Sequence, residues 1–455
     1  MPSVAEHERA VRALLASLLL PQPLPQPLPL PQPLPLPQPL PLPLPRRTPV
    51  ILTDLSPLAL SRMTVRNPRL AADVRAPIDL PPFDNSQMDG YAVRCSEVLP
   101  DQPLFVGPPI AAGSGVTTLA FGEAAPIMTG APMPVGADAI IPIELATPAQ
   151  FPVRIDPSGS VAVKPVTVSF ATTPERGAYL RPRGSDVAAG SVLLASGTIL
   201  GPAQWAIIAA AGITAVEIER PLRVLVLSTG DELCPPGTPL KPGQIYDANG
   251  TALALAVADC NAEVVAVAVV ADDAAAARRL LAELAPGVDL VLSTGGASKG
   301  AYEVVRDVFD GAGVEFGEVA VQPGGPQGFG MATLRDSAGV DFTVAVVAFP
   351  GNPVSALVSF ELFLRPILRE LHGLPSHRAV QRLPLVEALD SPPAKHQLRR
   401  GRIINPGPDA AIELIGGPSS HLLHGYATAT VLVHVPVGVS RLDVGDTVEV
   451  WSIND

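Results

Sequence analysis

Cysteine is scarce in this chain. Of 455 residues only Cys95, Cys234 and Cys260 are cysteines, with no C-x-x-C pair among them. That spacing argues against a zinc cluster and against a secreted disulfide framework, and implies reduced thiols in a cytoplasmic protein. Aromatics are scarce too, at 4%, so a core drawn from the 47% of hydrophobic residues must be mostly Ala, Val, Leu and Ile. Charged residues make up 16%, with a formal net charge of −12 and no basic patch, which gives no sign of a nucleic-acid partner. No apolar run reaches the roughly 18–20 residues that span a bilayer, so no membrane role is expected. The run "ALLASLLL" at residues 13–20 follows Glu6 and Glu8, where a signal peptide would be basic. An amphipathic helix within residues 1–20 is the better reading. The seven histidines show no H-x-x-x-H spacing, and no Ser/His/Asp order points to a covalent hydrolase.

Proline is abundant. Residues 21–49 are a low-complexity segment dominated by "PQPLPQPLPLPQPLPLPQPLPLPLP". Proline at nearly every second position forbids helix and ladder pairing and favours polyproline II. Such a run serves as a ligand for a proline-binding partner or as a semi-rigid spacer, and composition favours the spacer.

From Val50 onward the sequence is globular, with room for about two to four domains. "VILTDLSPLALSRM" has helical spacing. From Ala76 to about Phe170, short Val- and Ile-rich runs alternate with Gly and Pro turns, the pattern of a β-domain. A helix is expected at "PAQWAIIAAA". Between Pro221 and about Gly373 the rhythm becomes strand, Gly loop, helix: "LRVLVLS", "NGTALALAVAD", "AEVVAVAVV", "DDAAAARRLLAELA", "DLVLS", "AYEVVRDVFDGAG", "TVAVVAFPGNP". Alternation of this kind predicts right-handed βαβ units and a parallel sheet. Residues 375–455 look like a small β-domain.

Ligands of an open parallel sheet bind at the carboxyl ends of its strands. Three polar loops fall there: "STGDEL" with Ser228, Thr229 and Gly230, "STGGASKG" with Gly295, Gly296 and Ser298, and "FPGNPVSA" with Pro350, Gly351 and Asn352. Glycines let backbone N–H groups approach an anion, and a following helix N-terminus favours negative charge. One such loop alone is equally a tight strand–helix turn. Carboxylates accompany the loops: Asp231, Glu232, Asp247, Asp272 and Glu303. Phosphate-binding loops beside hard oxygen ligands suggest Mg²⁺. Helix capping is the simpler role for Asp272, before "DAAAARR". Elsewhere, "PPFDNSQMDGYAV" concentrates polar residues between Asp84 and Asp89. By itself it reads as a hydrogen-bonded turn that holds Tyr91 in a core.

Together, "PPFDNSQMDGYAVR", "PIMTGAPMPVGADAIIPIE", "RPRGSD", "LSTGDEL", "PGQIYDAN", "STGGASKGAYEVV" and "FPGNPVSALVSFELFLRP" resemble the molybdopterin molybdenumtransferases, the family that includes the C-terminal domain of gephyrin. The resemblance covers nearly everything from Val50 to the end. It implies an α/β multidomain protein. A linker domain would comprise residues 50–76 and 171–220, and an inserted β-domain residues 77–170. A molybdopterin-binding α/β domain over 221–374 and a C-terminal β-barrel over 375–455 would follow. The implied reaction inserts molybdenum from molybdate into adenylylated molybdopterin, with Mg²⁺, and releases AMP. It implies a homodimer with a site shared between subunits, and molybdoenzymes or their chaperones as partners. By motif, Asp89, Asp186 and Thr129 fall on catalytic segments. Arg181, Ser228, Thr229, Gly230, Asp247, Asp272, Gly295, Gly296, Ser298, Pro350, Gly351 and Asn352 fall on substrate-binding segments, and Glu232 and Asp231 on the metal-binding one. The family's lysine-bearing segment reads "QPGGP" here, with Gln322 and Gly325 in place of both lysines. Glu303 stands for the usual Asp, Ala301 replaces another acid, and Lys299 is an added cation. A non-catalytic molybdopterin-binding or scaffold protein of the same fold is the alternative.

Overall fold

A computed structural model describes residues 1–16, 50–54, 56, 59–60, 68–151, 166–296, 304–309 and 311–453. The proline-rich segment, the expected helix beyond residue 16, and Ser298, Lys299, Ala301 and Glu303 lie outside the described residues. The chain forms two compact units, Leu70–Val216 and Met1–Arg69 with Glu217–Asp455.

The unit Leu70–Val216 is built on a six-stranded sheet. Its order is Ala139–Pro142, Gly90–Val93, Glu123–Ile127, Leu104–Val106, Thr167–Phe170, Ala146–Thr147. All four residues of Gly90–Val93 are buried. Successive side chains of a strand point to opposite faces. Tyr91 and Val93 therefore join one core with Ile141 and Phe170, while Ala92 joins a second with Ile127 and Ile140. Gly90 is required by close approach, because a Cβ there would strike the Ile141 carbonyl.

The other unit holds a six-stranded sheet in the order Glu263–Val270, Arg223–Thr229, Leu290–Thr294, Asp341–Phe349, Pro326–Arg335, Val314–Glu318. The first four strands run parallel. Their residues are apolar on both sides because both faces are covered. Val226, Leu292 and Val347 pack with Leu253 and Val257 of the helix Ala248–Asp259. Leu225, Val291 and Val346 pack on the other side with Ala277 and Leu281 of the helix Ala274–Leu284. The alternation expected from the sequence is thus present. The sheet also continues beyond it through two antiparallel strands. The turn that allows this is "DSAGV" at residues 336–340, with Gly339 at φ +83°.

Val50–Leu52, the start of the helix expected over residues 50–63, form a strand, as suits a Val-Ile start, whereas Ala59 and Leu60 within it are helical; residues 55, 57–58 and 61–63 lie outside the described residues. The N-terminal helix, Val4–Ala16, is amphipathic as expected. Val11 and Leu15 enter the core of the α/β region. His7 packs edge-on against Phe329 and Phe363, with centroids 5.1 and 4.6 Å away, and burial lowers its pKa to about 4. After Asp341–Phe349, the helix Pro353–Ser359 passes through one π turn, Phe360–Leu364, into the helix Arg365–Leu371. Pro366 has no N–H to continue the α ladder, and the Arg365 N–H reaches back to the Phe360 carbonyl. The C-terminal β-barrel is carried by Val321–Gln322, His396–Ile404, Val431–Val435, Thr447–Ser452 and Val380–Pro384 around Leu385, Ile412, Val433 and Val450.

Replacing Gly90 by Ala is expected to destabilise the protein by about 1–3 kcal/mol through overpacking against the Ile141 carbonyl. Denaturant unfolding measures this. An unchanged midpoint would mean that the neighbouring strand yields freely.

Candidate functional site

Three adjacent parallel strands end at Thr229, Thr294 and Phe349, and the loops that follow meet backbone to backbone. Gly295 has φ +86°, and a Cβ there would lie 2.6 Å from the Thr229 carbonyl oxygen. A Cβ on Gly351 would lie 3.3 Å from the Gly295 Cα. The Gly295 N–H donates to the Phe349 carbonyl at 3.2 Å. Asn249, in the first turn of Ala248–Asp259, donates through Nδ2 to the Gly351 carbonyl at 2.7 Å. Above these loops opens a cavity of about 490 Å³. That is within the usual range for a small-molecule site, about 300–1,000 Å³.

Of the residues expected at this site, Thr229, Gly230, Glu232, Asp247, Asp272, Gly295, Gly296, Pro350, Gly351 and Asn352 all line the cavity. Ser228 is fully buried beneath it and donates from Oγ to Asp247 Oδ1 at 3.0 Å. The same Asp247 oxygen caps the helix Ala248–Asp259 by accepting the Gly250 N–H at 2.9 Å. Asp247 is therefore a structural member of the wall as well as a polar one. Asp231 is exposed and outside the lining, and its Oδ1 accepts the Asp272 N–H at 3.0 Å. The capping role considered for Asp272 belongs to its neighbour. Asp273 accepts the Ala275 N–H at 2.8 Å, and Asp272 lines the cavity. Asn352 stands at the N-cap of Pro353–Ser359 without a side-chain cap bond. The Val354 N–H instead donates to the Ser420 carbonyl at 3.2 Å.

The lining carries three carboxylates, Glu232, Asp247 and Asp272, and no lysine or arginine among its described residues. Among the described residues no three His, Cys, Asp or Glu side chains converge as a ready-made metal cage. Sequence reasoning missed Asn249, Thr294, Pro326 and Ser355, which also line the cavity. Asn249 and Thr294 sit inside quoted motifs, so the signal was at hand. Pro326 and Ser355 also lie in quoted stretches, "QPGGP" and "FPGNPVSA", though only tertiary structure brings Pro326 to the cavity.

The unit Leu70–Val216 assembles a second polar cluster. Asn85–Ser86 pairs antiparallel with Leu180–Arg181. The Ser86 N–H donates to the Ala131 carbonyl and the Gly130 N–H to the Ser86 carbonyl, at 3.0 and 2.8 Å. Asp84 Oδ1 accepts the Arg183 N–H at 2.7 Å. These bonds draw "DNSQMDGY", "MTGAP" and "RPRGSD" together. Asp89 Oδ1 accepts both the backbone N–H and the hydroxyl of Thr129, at 2.8 and 2.9 Å. Those two bonds, the backbone one first, hold the Asp89 carboxyl below its ordinary range. Asp89 is then ionised at neutral pH, an acceptor or base rather than a proton donor. Asp89, Thr129, Arg181 and Asp186 are all exposed. The turn reading of this loop also holds in part: Tyr91 is buried and its hydroxyl donates to the Gln150 carbonyl at 3.1 Å.

Family models match the chain in order. They are the MoeA N-terminal region (domains I and II) over residues 45–212, a probable molybdopterin binding domain over 225–370, and the MoeA C-terminal region (domain IV) over 382–453. The chain is 42% identical over 405 residues to molybdopterin molybdenumtransferase 2 of Mycobacterium tuberculosis, covering 84% of this chain and 92% of that protein. It is 32% identical over 394 residues to molybdopterin molybdenumtransferase of Haemophilus influenzae, covering 84% and 91%. The crystal structure of the molybdopterin biosynthesis MoeA protein from Pyrococcus horikosii matches with a TM-score of 0.66 at 29% identity, covering 90% of this chain and 95% of that one.

Thr129→Val removes one of the two bonds to Asp89 and is expected to raise the Asp89 pKa toward the ordinary value of about 3.9, as read by NMR titration of the carboxyl carbon. Because the folded pKa is depressed, stability from this tie is present above the unfolded pKa. It is lost as pH falls through the folded one. An unmoved pKa in the variant would contradict the assignment.

Proposed function

We propose, because the chain belongs to the molybdopterin molybdenumtransferase family, that its cavity takes adenylylated molybdopterin and that the enzyme inserts molybdenum from molybdate with release of AMP. The observation that carries the reading is the cavity itself: three glycine-bearing loops leave its floor open to close approach by a ligand, in a wall with three carboxylates and no described cation. A phosphate-bearing ligand beside such a wall needs a positive charge between them. Mg²⁺ fits that chemistry, since it takes one or two carboxylates and completes its shell with substrate phosphates and water. Glu232 would hold it, with Asp231 the second carboxylate of the same loop. Bound there, the ion would supply neutralisation of the phosphoanhydride charge.

The chain's own groups do the rest. The loops after Thr229, Thr294 and Phe349 orient the phosphates, and Asn249 keeps the Gly351 loop in place. Thr129 and Arg181 offer donors to the molybdate oxyanion, with Ser298 a further donor outside the described residues. Asp89, its carboxylate hydrogen-bonded by Thr129, and Asp186 act as bases on the water that cleaves the phosphoanhydride. The site is shared in a homodimer, with the Asp89 cluster of one subunit serving the cavity of the other. No helix among the described residues is long and apolar enough to cross a membrane. With three free cysteines, a cytoplasmic enzyme that hands its product to molybdoenzymes or their chaperones is the consistent setting.

The test is reconstitution with purified protein, adenylylated molybdopterin, Mg²⁺ and molybdate, following AMP. Asp89→Asn should still bind the adenylylated substrate and lose turnover by about 10²–10⁴-fold. Glu232→Gln should weaken binding and blunt the Mg²⁺ dependence. AMP release at the wild-type rate by Asp89→Asn would leave Asp89 as a turn residue only.

Sharing has its own test. Mixing Asp89→Ala subunits with Glu232→Ala subunits should recover up to about half the wild-type sites in the heterodimer, because one pocket then carries both lesions and the other none. Confirmed subunit exchange without recovery would count against a shared site.

A further inference from the structure

Two further lining residues are Pro326, at the end of the segment 322–326, and Ser355, in the first turn of the helix Pro353–Ser359. Around the segment 322–326 the described structure places side-chain amides and, beside Gly325, the Glu318 carboxylate. Gln322 Oε1 accepts from Gln397 Nε2 at 2.7 Å, and the two residues are paired across parallel strands. A Cβ at Gly325 would lie 2.7 Å from Glu318 Oε2, the tip of a side chain that would have to swing aside. The Gly325 carbonyl accepts the Val319 N–H at 2.8 Å.

One side chain joins the two segments. Gln327 Nε2 donates to the Gly324 carbonyl at 2.7 Å and to Ser359 Oγ at 2.8 Å. A carbonyl can only accept, so the amide nitrogen must face Gly324 and the orientation of the amide is fixed. Its oxygen is then left buried with no hydrogen-bond partner, in a residue 1% exposed. Burying an unpaired acceptor is unfavourable, and an apolar side chain of the same length would avoid it. What the amide offers in return is the pair of donated bonds. Those bonds tie residue 324, two positions before Pro326, to residue 359, one helical turn after Ser355.

We propose that Gln327 is a positioning residue for the cavity, an uncharged brace that sets the separation of the Pro326 edge from the Ser355 edge. The inference rests on the cavity's being the site for adenylylated molybdopterin. Gln327 touches no reacting atom; it acts through Pro326 and Ser355. At that edge the protein offers the substrate shape rather than charge.

Gln327→Met keeps length and volume and removes both bonds along with the unpaired oxygen. The expected result is a thermal midpoint equal to or above wild type and faster amide exchange at residues 324–325. KM for adenylylated molybdopterin should rise about tenfold, with kcat within about threefold. Ser359→Ala, which leaves the bond to Gly324, should raise KM by a smaller factor with kcat unchanged. KM within twofold of wild type in both variants would overturn the proposal. So would a fall in midpoint with kcat lost and KM unmoved, which would make Gln327 a folding strut only. Wild-type protein that neither binds adenylylated molybdopterin nor releases AMP would defeat the functional reading itself. Unchanged amide exchange at 324–325 in Gln327→Met would then defeat the brace separately.

Discussion

The cavity depends on three strand ends that meet without side chains between them. Thr229, Gly295 and Gly351 pack so closely that a single Cβ at Gly295 would press on the Thr229 carbonyl. The parallel register that aligns Ser228 with Thr294, and Thr294 with Phe349, brings the three loops to one level. Once they are level, backbone rather than side chain forms the floor, and the helix beginning at Ala248 stands beside it. Ser228 and Asp247 lock that helix to the strand from below, so the floor and one wall are a single hydrogen-bonded piece.

The electrostatics of the cavity follow from the same economy of side chains. A floor of glycines contributes backbone and no charge, and the Gly230 and Gly295 N–H groups themselves donate to the Val270 and Phe349 carbonyls. The walls then contribute carboxylates. In the proposed function, a ligand that brings phosphate together with a divalent cation would suit such a site better than a bare anion. At the Asp89 cluster the logic is different. An exposed carboxylate accepts two bonds from Thr129, which lower its pKa further and fix the orientation of its Oδ1.

Much of this was legible from residue order. Strand, Gly loop and helix alternate because a sheet covered on both faces needs continuous apolar strands, and such strands must end in polar loops. The motifs with Thr229, Gly295 and Gly351 therefore announced a ligand-binding edge. The antiparallel extension through Pro326–Arg335 was not announced, because "GFGMATLR" has no clean alternation and its turn, "DSAGV", is an ordinary loop composition. The roles of Asp272 and Asp273 were likewise beyond reach. Two adjacent acids before a helix are interchangeable in a string, and only the path of the backbone decides which one caps and which one lines the cavity.

The sequence by itself determined the fold class and the glycine-bearing loops at the strand ends, since periodicity and glycine placement act locally and leave a local trace. Tertiary structure alone decided that Asp247 is spent on Ser228 and Gly250, and that Asp89 is paired with Thr129. It also decided that Gln327 spans from residue 324 to residue 359. Each of these is a hydrogen bond set by which segments are packed together. Such a bond has no periodicity and no fixed spacing, so nothing in the order of residues could mark it.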